Sequence, residues 1–129
     1  MNEITTDGSV KGKVGGWAAV IRGERSDEVA GIVKTDDSYT AELMAIYQAC
    51  CHSGGDFMLI SDRKDIVNEL NLMMFTEMWT PPLKDKDLWK KIKEESAGKL
   101  ISATWQKRNT TPEMRIAHCM ASAYATNGR

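Results

Sequence analysis

TTDGSVKGKVGGWAAVI, residues 5–21, decides how the rest of the chain is read. An apolar segment runs into Asp7, glycines follow at Gly8, Gly12, Gly15 and Gly16, and an apolar run then returns. Residues 2–7 read as a short first strand that Asp7 ends. The glycine-rich segment reads as a turn. GGWAAVIR, residues 15–22, reads as a second strand, and EVAGIVK, residues 28–34, as a third after the charged turn GERSD. Strands joined by such short turns form an antiparallel meander.

The period then changes. In SYTAELMAIYQACCHS the apolar residues Leu43, Ile46, Tyr47 and Cys50 recur at i, i+3, i+4 and i+7, which is one face of a helix. SGG stops that helix. DFMLISD is a short apolar run between polar ends, the pattern of a buried strand. Asp62 opens a second helix, DRKDIVNELNLMMF, which the prolines of WTPPLK break. DKDLWKKIKEESAG is a third helix, with Leu88, Trp89 and Ile92 inward. KLISATWQ alternates as a fifth strand. Thr111-Pro112-Glu113 is a helix start: a cap, a proline at the first position and an acid near the dipole. The last helix carries Met114, Ala117, Ala121 and Ala123 on a small-residue face. The order β-β-β-α-β-α-α-β-α makes an α/β fold. Its first helix is a crossover that lets the fourth strand lie parallel to the first.

Length and composition bound what such a chain does. It has 129 residues, 42% hydrophobic and 27% charged, which suits one globular domain over residues 1–129. A domain of this size buries roughly two-thirds of its unfolded surface and needs no staples. A formal net charge of −1 gives no bulk attraction for nucleic acid, so any basic footprint is local. The opening MNEITTDGSV lacks the basic and apolar regions of a signal peptide, and no apolar run approaches the roughly 18 residues of a membrane span. Three cysteines form no disulfide framework and read as small buried filler in a reducing, cytoplasmic compartment. Met1 shortly before Asp7 fits a compact chain that stands alone.

Topology makes the acids informative. If the first and fourth strands are parallel neighbours, Asp7 and Asp62 end on one edge, and Glu42, in the first turn of the crossover helix, packs over it. Each acid alone has a plain reading: a turn residue, or a carboxylate set against a helix dipole. Together, clustered carboxylates repel unless a cation neutralises them, and hard oxygen ligands suit Mg²⁺ or Mn²⁺. Two such ions about 3.5–4 Å apart can clamp the attacking and leaving oxygens of a phosphodiester.

TDGS after the opening strand, AELMAI in the first helix, ISD ending the fourth strand and DLWKKI in a later helix resemble the type 1 ribonuclease H family, over nearly the whole chain and in the family's order. The resemblance implies a ribonuclease H-like fold, a five-stranded mixed sheet of order 3-2-1-4-5 with helices on both faces. It implies Mg²⁺-dependent endonucleolytic cleavage of the RNA strand of RNA–DNA hybrids, leaving 5′-phosphate and 3′-hydroxyl ends, with two ions when substrate is bound. It sets Asp7, Glu42 and Asp62 as the first three metal-site acids. At the fourth position, in RIAHCMASA, His118 replaces the acid. It is either an altered metal and catalytic residue or a packed helix histidine, and imidazole is a poor Mg²⁺ ligand.

The loop QKRNTTPE lacks the histidine that many members carry, and Asn109 stands nearest its place without acid–base chemistry. The chain is also short between Asp62 and Asp87. There Trp79 is a candidate to lie against the DNA strand, and Lys84, Lys86, Lys90, Lys91 and Lys93 are candidates for phosphates. The charge-balanced run KDKDLWKKIKEE equally describes a solvated helix face. Gly8 and Ser9 are candidates to meet the RNA minor groove, and Ser38 and Tyr39, at a helix start, to meet backbone phosphate. The reading is a monomeric, metal-dependent endoribonuclease specific for RNA–DNA hybrids. Its alternative is a catalytically weak or inactive ribonuclease H-like nucleic-acid-binding module. A resolvase or integrase would share the fold and carboxylates more than the words TDGS and AELMA.

Overall fold

The computed structural model describes residues 1–128. Its elements are β1 (Asn2–Lys11), β2 (Val14–Arg22), β3 (Asp27–Lys34), α1 (Ser38–His52), β4 (Phe57–Ser61), α2 (Lys64–Phe75), α3 (Lys86–Glu95), β5 (Ile101–Trp105) and α4 (Pro112–Asn127). The sheet order is β3-β2-β1-β4-β5. β1, β2 and β3 form the antiparallel meander, and β4 runs parallel to both β1 and β5. Among the described residues, no helix is long and apolar enough to cross a membrane.

The first hairpin differs from its sequence reading. β1 does not stop at Asp7 but continues to Lys11, and the turn is only Gly12-Lys13, with Gly12 at φ 63°. Gly8 lies inside β1, and Gly15 and Gly16 lie inside β2. They are there for close packing. A Cβ on Gly8 would strike the α1 backbone at Ala41 and Glu42, and one on Gly16 would strike the α4 backbone at Ala121 and Ala125. Glycine thus lets one helix press on each face of the meander.

α1, α2 and α3 cover one face of the sheet. Their core joins Ile4, Ile21, Leu43, Ile46, Cys50, Phe57, Leu59, Ile66, Leu70, Trp89, Ile92 and Ile101. Each large apolar side chain so buried contributes about 1.5–3 kcal/mol. α4 covers the other face over β1 and β2, where Ala18, Val20, Ala117 and Ala121 meet. The buried stripe of α4 is Met114, Ala117, Ala121 and Ala125; Ala123 is exposed, because a helix returns to its face after seven and eleven residues rather than nine. Cys50 is buried as filler, whereas Cys51 and Cys119 are exposed.

Two helix starts fix the upper edge of the sheet. Asp37 caps α1 by accepting from Tyr39 N–H at 2.9 Å, and Thr111 caps α4 by accepting from Met114 N–H at 3.1 Å. Buried Trp89 donates its indole N–H to Tyr39 Oη at 3.0 Å, which ties α3 to the first turn of α1.

Candidate active site

The β1–β4 pairing runs from Asn2↔Phe57 to Thr5↔Ile60 and then ends. Asp7 and Asp62 each lie two residues beyond that last couple, level with each other where the strands part. Asp7 is therefore mid-strand in β1, yet it sits at the end of the parallel pairing. Asp62 lies between β4 and α2 rather than inside α2, which starts at Lys64. Its main chain is held on both sides. Trp105 donates its indole N–H to Asp62 O at 3.0 Å, and Gln106 N–H donates to Ser61 O at 3.0 Å.

Glu42 is not in the first turn of α1; it sits one turn further on, buried on the face toward β1. The close approach at Gly8 brings it to the strand. The result is a cluster in which Asp7, Glu42 and Asp62 each offer an oxygen within 4.8 Å of the others. It is the only group of three or more potential metal ligands so close among the described residues. Burial, and then the neighbouring Asp7 carboxylate, hold the Glu42 carboxyl well above its ordinary range. Burial and Asp7 also raise Asp62, against the opposing field of Arg108.

Glu42 Oε2 is buried without a hydrogen-bond partner. A buried carboxylate oxygen with no donor is strongly disfavoured, and a cation relieves it. The donor set is all carboxylate oxygen, so the residues fit a hard divalent ion, Mg²⁺ or Mn²⁺.

His118 reaches the site from α4 in a different way. Its Nδ1 lies 2.9 Å from Asp7 Oδ2. A carboxylate only accepts, so Nδ1–H is the donor and the ring orients Asp7.

The acids open into a cleft of about 530 Å³ lined by Asp7, Gly8, Ser38, Glu42, Asp62, Arg63, Lys64, Asp65 and Arg108. Of the candidate substrate-binding residues, Gly8 and Ser38 lie on its wall. Ser38 Oγ accepts from Arg63 Nη1 at 3.3 Å. Tyr39 is buried, with the Arg63 guanidinium 5.0 Å and Lys84 Nζ 4.6 Å from its ring centre. Lys84 also pairs with Asp37 at 2.7 Å. Ser9 lies partly buried in β1, opposite Gly16. Asn109, at φ 58°, lines a small hollow behind the acids with Thr6 and Met114.

Trp79 and Lys86 are not on the cleft wall. Trp79 donates to Glu69 Oε2 at 2.7 Å, packs edge-on against Trp89 with ring centres 5.9 Å apart, and has Lys93 Nζ 5.4 Å over its own ring. Lys86 lines a separate hollow with Met44, Leu83 and Leu88.

Sequence reasoning missed the basic wall of Arg63, Lys64 and Arg108. The run DRKD directly after a strand-ending acid carried the signal for the first two, since residues that leave a strand beside a site line it.

Comparison with known proteins identifies the family and the fold. The family model described as RNase H matches residues 2–115, ending before His118. A ribonuclease H of Prosthecochloris aestuarii (strain DSM 271 / SK 413) is 34% identical over 102 residues, covering 69% of this chain and 70% of that protein. The crystal structure of LC11-RNase H1 in complex with an RNA/DNA hybrid superposes with a TM-score of 0.77, at 17% identity, over 99% of both chains.

Proposed function

Because the chain belongs to the ribonuclease H family, we propose that it is a metal-dependent endonuclease that hydrolyses the RNA strand of RNA–DNA hybrids, acting as one domain over residues 1–129. The observation that carries the reading is the convergence of Asp7, Glu42 and Asp62 within 4.8 Å at the end of the β1–β4 pairing. The hybrid bound by LC11-RNase H1, which shares the fold, supports the choice of substrate.

Asp7, Glu42 and Asp62 would hold the divalent ions, two of them with substrate bound. Bound Mg²⁺ or Mn²⁺ supplies charge stabilisation to a phosphodiester and acidity to water. The chain's own residues do the rest. Gly8 allows α1 to bring Glu42 to the strand edge. His118 fixes the Asp7 carboxylate through Nδ1–H. Trp105 fixes the main chain of Asp62. Arg63, Lys64 and Arg108 give an acidic centre a cationic wall, which an anionic strand needs if it is to enter.

A second reading, a weakly active or inactive hybrid-binding module, rests on His118 at the fourth position. A substrate panel separates the two. Labelled hybrid, single-stranded RNA, duplex RNA and duplex DNA are incubated with Mg²⁺, Mn²⁺ or EDTA. Hybrid-only, metal-dependent cutting of RNA supports the enzyme; tight hybrid binding without cutting in either metal supports the module.

A further inference from the structure

Arg108 is the one cation of the β5–α4 loop that lines the acidic cleft. Its Nε stands 3.9 Å from Asp62 Oδ2, at the limit of an ion pair, and its side chain is 66% exposed. The guanidinium makes no hydrogen bond within the described residues, so its five N–H donors are unspent.

The loop beneath it is tied down. Thr110 Oγ1 donates to Lys107 O at 2.6 Å, and Arg115 Nη1, from the first turn of α4, donates to Asn109 O at 3.2 Å. Asn109 turns the chain through a left-handed conformation, and Thr111 caps the helix that follows. Arg108 is thus a cation without hydrogen bonds among the described residues, on an anchored loop, facing Asp62 at 3.9 Å.

Resting on the hydrolase reading above, we propose that Arg108 is a catalytic residue that grips the phosphate destined to become the 5′ end of the product. In the reaction a water oxygen bonds to phosphorus and the bond from phosphorus to the 3′ oxygen breaks. The electron pair goes to that oxygen, which takes a proton and leaves as a hydroxyl; of the attacking water's two protons, one balances that uptake and the other passes to solvent. The phosphate therefore gains one negative charge between diester and monoester. Arginine is permanently charged and offers two parallel N–H groups to adjacent phosphate oxygens, so it stabilises that charge without moving a proton. Its effect grows along the reaction path, which is the condition for catalysis rather than mere binding. The loop's contribution is then electrostatic, and it comes from Arg108 rather than from Asn109.

The test uses the full chain in Mg²⁺ and compares its binding of two product-like hybrids that differ only in whether the RNA begins with a 5′-phosphate or a 5′-hydroxyl, beside its turnover of an internal hybrid. The parent binds the phosphate-ended hybrid about tenfold or more tightly. Arg108→Ala abolishes the preference, Arg108→Lys keeps part of it, and Lys107→Ala, off the cleft wall, leaves it intact. Turnover of internal hybrid by Arg108→Ala falls by about 100-fold. Mg²⁺ binding to the substrate-free variant, read by calorimetry, is as tight as in the parent or tighter, and its melting temperature is unchanged. An Arg108→Ala variant that keeps the 5′-phosphate preference overturns the proposal, as does one whose lower turnover is matched by weaker metal binding. A parent that cuts no hybrid overturns the hydrolase reading and the catalytic role together. The end preference then still reports whether Arg108 holds phosphate.

Discussion

At the scale of single residues, His118 is the informative departure. The usual fourth acid would add a ligand, whereas His118 donates a hydrogen bond to an existing one, Asp7. His118→Ala should lower Mg²⁺-dependent turnover by about 10–100-fold, as removal of an orienting partner does, with little change in melting temperature. His118→Asp should tighten Mg²⁺ binding and raise turnover at low Mg²⁺; turnover equal to the parent in both variants would show the ring to be a bystander. Glu42 gives a pH prediction. Its folded-state carboxyl lies well above the ordinary 4.5, and that of Asp62 lies above 3.8, each chiefly through burial. In that window the folded protein binds protons that the unfolded chain does not, so metal-free stability falls as pH rises and recovers as pH returns toward the ordinary carboxylate range. Thermal melts in EDTA at pH 5 and pH 8 should show it. Glu42→Gln should flatten the difference and raise the pH 8 melting temperature by about 3–6 °C for each kcal/mol of relieved repulsion. A pH 8 melt that Glu42→Gln leaves unchanged would contradict the buried-charge account.

At the scale of elements, the glycines of the meander set the site. Gly8 admits the α1 backbone, and Gly16 admits that of α4. Gly8→Ala should therefore displace Glu42 and cost about 1–3 kcal/mol in urea unfolding, weakening metal binding by more than that stability change explains. Gly16→Ala, beneath α4, should cost a similar amount and loosen the hydrogen bond between His118 and Asp7. Full stability in both variants would remove the packing argument. These same glycines mark where the sequence was hardest to read. TTDGSVKGKVGG looks like a strand followed by a loop, because glycine is a turn former in isolation. Gly15 and Gly16 were read as opening the second strand, but only the neighbouring helix shows that Gly8 is a strand residue as well. The periodic segments read more directly. Leu43, Ile46 and Cys50 are buried as their spacing predicts, and so is Trp89. Ala123 was placed on the wrong side of α4 because a run of small residues carries little amphipathic signal.

At the scale of the whole molecule, the placement of charge matters more than its sum. The chain is nearly neutral overall, yet Arg63, Lys64 and Arg108 line the acidic cleft, and Lys84 stands beside it over Tyr39. Hybrid affinity should fall linearly on a log–log salt plot, and each lysine or arginine removed from this wall should reduce the slope by about 0.7–0.9 for every phosphate that side chain neutralises. Removing Lys86 or Lys91, which line the separate hollow beside α3, should change it less. The three acids were legible in the sequence because topology brings strand ends together. Arg108 was not legible, because nothing in QKRNTTPE tells which loop residue faces the acids until the loop is closed by Thr110 and Arg115. The central claim is that Asp7, Glu42 and Asp62 form the hydrolytic centre. It is tested most directly by Mg²⁺-dependent cleavage of a labelled RNA–DNA hybrid by the parent and by Asp7→Asn side by side, with melting curves of both. The account predicts that the parent cuts the RNA strand and that Asp7→Asn, equally folded, does not. A folded Asp7→Asn protein that cuts at the parent rate would contradict it.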